Sequence, residues 1–177
     1  AALLEAIPAA GAKVVSLDGG SKHNAIPREA CAVVTVPRGR EDALAAAVAT
    51  VKGTFKAVYE NHDAGLEVKV APSVVRPRKV LTGAAAMKAV RLLLAVPTGV
   101  LTMSKEIPGL VETSTNLSVV KMVKDGIEIT TCSRSSVNEA LTLVIQSIEA
   151  LGQVAGAKVR HEGGNPGWRH ESDSMLL

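Results

Sequence analysis

The chain has 177 residues, enough for one domain or for two small halves sharing a sheet. Its 47% apolar content supports a core, but only Phe55, Tyr59 and Trp168 are aromatic, so that core must be built from Ala, Val, Leu and Ile. The net charge of +3 comes from 20 Lys and Arg scattered among 17 acids, which lacks the basic stripe with stacking rings expected of a nucleic-acid binder.

The first residues, AALLEAI, read as the end of a helix stopped by Pro8, and Lys13 to Leu17 read as a strand. A long polar loop follows, Asp18-Gly19-Gly20-Ser21-Lys22-His23-Asn24-Ala25-Ile26-Pro27-Arg28-Glu29-Ala30, before a second strand from Cys31 to Val36. A plain strand connection needs only a few residues, so this one is built to present side chains. From Glu41 to Asn61 the apolar positions Leu44, Val48, Val51, Phe55 and Val58 step by four and three, the helical period, with Gly53 as a weak point. Glu41 and Asp42 fall in the first turn, where acidic charge suits the helix dipole. Leu66 to Ala71 alternates as a strand would, and Pro72 to Lys79 links two halves.

Thr82 is placed to cap a helix running to about Val96, and Pro97-Thr98-Gly99 ends it. The apolar run from Leu92 to Met103 is broken by Pro97 and Gly99, and no uninterrupted run approaches the ~18 residues of a membrane span. Gly99 to Met103 reads as a short strand, and Val111 to Met122 with Ile127 to Cys132 as a hairpin turning at Lys124-Asp125-Gly126. Ser136-Val137-Asn138-Glu139 has the spacing of a capping box for a helix facing Leu141, Val144, Ile145, Ile148 and Leu151 inward. A last strand is expected from Ala157. The sequence AGAKV occurs at Ala10 to Val14 and again at Ala155 to Val159, each time at a helix-to-strand joint that leads to an acid and Gly-Gly. The expected fold is α+β: an antiparallel sheet with helices packed on one face, in two ferredoxin-like halves of about 9–75 and 80–165. Met175-Leu176-Leu177 reads as the start of another element, so both ends are expected to be cuts from a longer protein.

Cys31 and Cys132 each sit in an apolar strand and are expected to be buried thiols acting as small hydrophobes, as suits a reducing compartment. His23, His62, His161 and His170 form neither a His-Glu-x-x-His nor a Cys-x-x-Cys pattern, and the turn between His161-Glu162 and His170-Glu171 fixes no geometry, so no metal site is expected. Ser133, Ser135 and Ser136 lack a nucleophile elbow, and Ser136 is expected to cap the helix, so no catalytic residue is assigned. Arg134 emerges from the strand just before a helix start. A guanidinium there can grip a carboxylate in bidentate fashion, and an ordinary surface arginine is the equal alternative. Asn24 sits late in the polar loop, where its amide can bond a peptide-like ligand or simply cap the turn. Glu112-Thr113-Ser114-Thr115-Asn116 reads as an exposed strand face rich in hydrogen-bonding groups.

Gly-Gly followed by NAIPREA (19–30), PTGV (97–100), GLVETSTNL (109–117), Arg134-Ser135, LGQVAGAK (151–158) and NPGW (165–168) together resemble the bacterial aminoacyl-histidine dipeptidases, zinc metallopeptidases related to carnosinase and peptidase T. The resemblance implies a lid or dimerisation domain over residues 1–177, inserted in a catalytic domain that carries the zinc ligands and is absent here. It implies that Asn24 and Arg134 are substrate-binding residues, with Arg134 at the substrate's free carboxylate. It implies no catalytic residue, metal or cofactor in this chain, and zinc in the full-length parent. The function implied is orienting short peptides for hydrolysis, in a cytoplasmic homodimer that contacts neither nucleic acid nor membrane, with the isolated chain inactive. The family's Gly-Gly-His-Ser segment is not present, and Arg169-His170-Glu171 stand where the family tends to have proline. A free-standing α+β small-ligand or partner-binding module that self-associates is the alternative.

Overall fold

The computed structural model describes residues 11–74, 77 and 79–164, and the expectations for AALLEAI, NPGW, His170, Glu171 and the final Met175-Leu176-Leu177 lie outside them. The elements are β1 (Lys13–Gly19), β2 (Ala30–Thr35), α1 (Glu41–Tyr59), α2 (Gly83–Ala95), β3 (Gly99–Met103), β4 (Val111–Val123), β5 (Gly126–Ser135) and α3 (Asn138–Val154). Strand pairing is antiparallel and the protein is α+β. The described residues divide into two compact units, those of 11–18 with 31–94 and those of 19–30 with 95–164.

In the first unit β1 pairs with β2. The buried apolar residues are Val14 and Leu17 of β1, Val48 and Val51 of α1, and Val90 and Leu93 of α2, as the 3.6 and 2 periods place them. Thr82 caps α2 as expected, its hydroxyl accepting from the Ala85 amide at 3.2 Å. The expected strand from Leu66 to Ala71 does not form. Its alternation is real, but no strand of the described chain pairs with it, and Leu66 and Val70 are exposed while Val68 alone is half-buried.

In the second unit β4 pairs with β5 along its length and, on its other edge, with β3 and with Gly19 at the end of β1. The hairpin turns through Lys124 and Asp125, with Val123 opposite Gly126. α3 packs on β5. Three expectations are corrected here. Ser136 does not cap α3, whose N-cap position is Val137 without a side-chain cap bond. The Ser135 hydroxyl instead accepts from the Val137 amide at 3.0 Å. No strand follows Ala157, where residues 157–164 are exposed. The thiols are both free, but Cys31 is exposed rather than buried and Cys132 is half-buried.

Candidate functional site

The most buried side chains of the second unit carry hydroxyls. Thr113 and Thr115 of β4 are 2% and 1% exposed and Ser118 is 0%. Across the ladder Thr113 shares a hydrogen bond with Ser135 at 2.9 Å and Thr115 with Ser133 at 2.8 Å. A hydroxyl can be both donor and acceptor, so each pair satisfies itself without water. The stretch read as an exposed polar face is therefore split, with its two threonines inside and Glu112, Ser114 and Asn116 on the opposite, half-buried face.

Arg134 lies within β5 rather than beyond its end, because β5 runs to Ser135. It stands opposite Ser114, which is itself opposite Val100 of β3, so these three side chains share one face. Cys132 stands opposite Asn116 on that face. Arg134 is exposed and has no ion-pair partner among the described residues. At the near edge Glu112 accepts a hydrogen bond from the Thr102 hydroxyl at 3.2 Å, and its carbonyl accepts from the Ser136 amide at 3.1 Å. The face thus offers a fork of guanidinium donors amid small polar groups, an arrangement suited to a carboxylate ligand.

Asn24 is exposed in the turn of the 20–29 loop, which the Ala25 amide closes by donating to the Lys22 carbonyl at 3.3 Å. The turn is therefore held by backbone, and the Asn24 amide is not what closes it. At the loop's base the Gly20 amide donates to the Glu29 carbonyl at 3.1 Å. Gly20 has φ +67° and packs so closely on the Ser118 carbonyl oxygen that a Cβ there would overlap it. Ser118 is four residues from Ser114 along β4, so the loop's base stands about 13 Å along the strand from the partner of Arg134. Asn24 and Arg134 both belong to the second unit, and no hydrogen bond joins them.

Sequence reasoning missed Gly20 and Ser118 as the structural base of this loop. A signal was present in β4. Leu117, Ser118 and Val119 keep the alternation, but Val120 follows Val119 directly, so the apolar pattern changes parity one residue past Ser118. The register changes at Ser118 itself: Thr113 to Leu117 pair with Ser135 to Thr131, whereas Val119 to Val123 pair with Thr130 to Gly126. Ser118 is the extra residue of a β-bulge.

Among the described residues no three His, Cys, Asp or Glu side chains gather as a metal-ligand group, so a zinc ligand set cannot be drawn from them. His161 stands 3.6 Å from Glu149, and Arg160 is 3.2 Å from Glu162, both on the surface. The first unit holds an open cleft of about 220 Å³ between Phe55, Tyr59, Leu66 and Val68, in which the two rings meet edge to face at 6.0 Å. Beside it the Glu67 carboxyl is held below the usual carboxylate range by a hydrogen bond and charge attraction from Lys69, 2.6 Å away. No helix of the described chain is long and apolar enough to cross a membrane.

Over 168 residues, 93% of this chain, the sequence is 33% identical to the cytosol non-specific dipeptidase of Escherichia coli (strain K12), and covers 34% of that protein. The fold superposes with a TM-score of 0.90 on the crystal structure of aminoacylhistidine dipeptidase from Vibrio alginolyticus, at 28% identity, covering 98% of this chain and 35% of that one. No protein-family model matches. The chain is homologous to one part of these dipeptidases and spans about a third of their length.

Proposed function

We propose that this chain is the lid and dimerisation domain of a cytoplasmic di-zinc aminoacyl-histidine dipeptidase, orienting short peptides for hydrolysis while the metal chemistry resides in a separate catalytic domain. The observation that carries the reading is Arg134, set opposite Ser114 on the open face of β4 and β5 with no ion-pair partner among the described residues. A guanidinium so placed binds the free carboxylate of a peptide in two parallel bonds, and the exposed Asn24 amide supplies a second polar contact. The part-length likeness to dipeptidases supports the division of labour. So does the apolar edge formed by Val100, Leu101, Met103, Leu110 and Val111, all at least 38% exposed, which suits burial against a second chain or the catalytic domain.

Zinc titration and dipeptide cleavage test the proposal. The 177-residue chain is expected to take up no stoichiometric tight zinc and to cleave no dipeptide, whereas the dipeptidase containing it does both. Tight zinc with cleavage by this chain would overturn the reading. The same apolar edge strand supports a second reading, a binding module that self-associates through β3. A reading frame continuing into His-x-Asp and Glu-Glu segments favours the lid, and a start and stop codon at its borders favours the module.

A further inference from the structure

The bulge at Ser118 raises the question of what an extra residue does in the middle of a long hairpin. It does not re-aim Arg134. If Ser118 were absent, Leu117 would still pair with Thr131 directly after Val119 with Thr130, and Ser114 would still face Arg134. The backbone carbonyl of this extra residue is the atom on which Gly20 rests. The contact tolerates no side chain on Gly20, whose φ of +67° also favours glycine. Pro27, on the returning limb of the loop, lies in van der Waals contact with the same spot, 3.4 Å from where a Gly20 Cβ would be. The amide of the same residue, Gly20, closes the loop on Glu29.

We infer that Gly20 and the Ser118 bulge form a backbone seat that fixes the base of the Asn24 loop against β4, making them positioning residues for substrate. The inference rests on the reading that Asn24 contacts the peptide. The Ser118 hydroxyl supports the seat from within, being fully buried and donating to the Asn116 carbonyl at 3.3 Å. Bulges recur next to active sites because the extra, unpaired residue bends the strand locally.

The test uses Gly20→Ala, with Gly39→Ala as control. Gly39 has φ +81° and nothing within 4 Å of its would-be Cβ, so the control carries the same backbone strain without the overlap. In the complete dipeptidase, Gly20→Ala should raise KM for a dipeptide about tenfold with kcat changed less, the scale of one misplaced polar contact. Gly39→Ala should lower Tm but leave KM unchanged. Pro27→Gly frees the returning limb that meets Gly20 without adding any overlap, so this second variant should fold and raise KM in the same direction. In the 177-residue chain, amide exchange at the loop base should speed up in Gly20→Ala only. A Pro27→Gly enzyme of normal KM overturns the inference where Asn24→Ala raises KM, even if Gly20→Ala does not fold. So does a Gly20→Ala enzyme of normal KM when Asn24→Ala raises it. If Asn24→Ala leaves KM unchanged while exchange at the base still speeds up, the seat stands and the substrate reading of Asn24 falls.

Discussion

Replacing Thr115 by valine keeps the side chain's volume and removes its hydroxyl. Thr115 is 1% exposed and its hydroxyl pairs with the Ser133 hydroxyl at 2.8 Å, so Thr115→Val leaves Ser133 facing a methyl group. An orphaned buried polar group costs about 1–3 kcal/mol. Because Ser133 is only half-buried and water can partly reach it, the lower part of that range applies, about 1–2 kcal/mol. For a chain of this size that lowers Tm by roughly 2–8 °C, taking 2–4 °C per kcal/mol. The double variant Thr115→Val with Ser133→Ala removes both partners and should lie close to the wild type, because no polar group is stranded. Thermal unfolding and denaturant titration of the four proteins give a double-mutant cycle, and a favourable coupling above about 0.5 kcal/mol is expected. Additive losses in the double variant would refute the claim that the two hydroxyls satisfy each other.

Gly53 lies exposed inside α1 with nothing within 4 Å of its would-be Cβ, so Gly53→Ala should stabilise the chain by about 0.5–1 kcal/mol, read as a rise in Tm. Gly152→Ala in α3 should gain less, because the new methyl meets Val159, whose branched side chain must move. Glu67 should titrate, by carboxyl NMR, below the ordinary glutamate range, and Lys69→Met should raise its midpoint. The sign follows from the lowered pKa: any stability from this pair is present above the ordinary glutamate pKa and lost as pH falls through the lowered one. With both side chains mostly exposed, the pair should leave overall stability nearly independent of pH in that window.

The elements with a local cause were legible in the sequence. β3 has the expected bounds, α1 follows the step of four and three from Val48 to Val51 and Phe55, and Thr82 caps α2. The misreadings arose where a non-local neighbour decides. Leu66 to Val70 alternates, yet alternation makes a strand only beside another strand. Ser136 has capping-box spacing, but β5 continues to Ser135, and it is the Ser135 hydroxyl that serves the helix entrance. In β4 the pattern Thr-Ser-Thr-Asn does not say which face is buried, because the answer depends on Ser133 and Ser135, eighteen and twenty-two positions away. Arg134 was visible as a residue and as a strand neighbour, whereas its pairing with Ser114 was not. Gly20 was visible as conformational freedom, while the carbonyl that makes glycine necessary comes from a bulge distant in sequence.

The central claim is that Arg134 receives the free carboxylate of a peptide. It is tested most directly by measuring kcat/KM for a dipeptide and for its C-terminal amide, in the complete dipeptidase and in its Arg134→Ala variant. A charge-assisted contact of this kind carries about 1.5–3 kcal/mol, so the wild type should favour the free acid by about tenfold or more, and the variant should lose most of that preference. A variant that keeps the wild-type preference for the free acid would contradict the account.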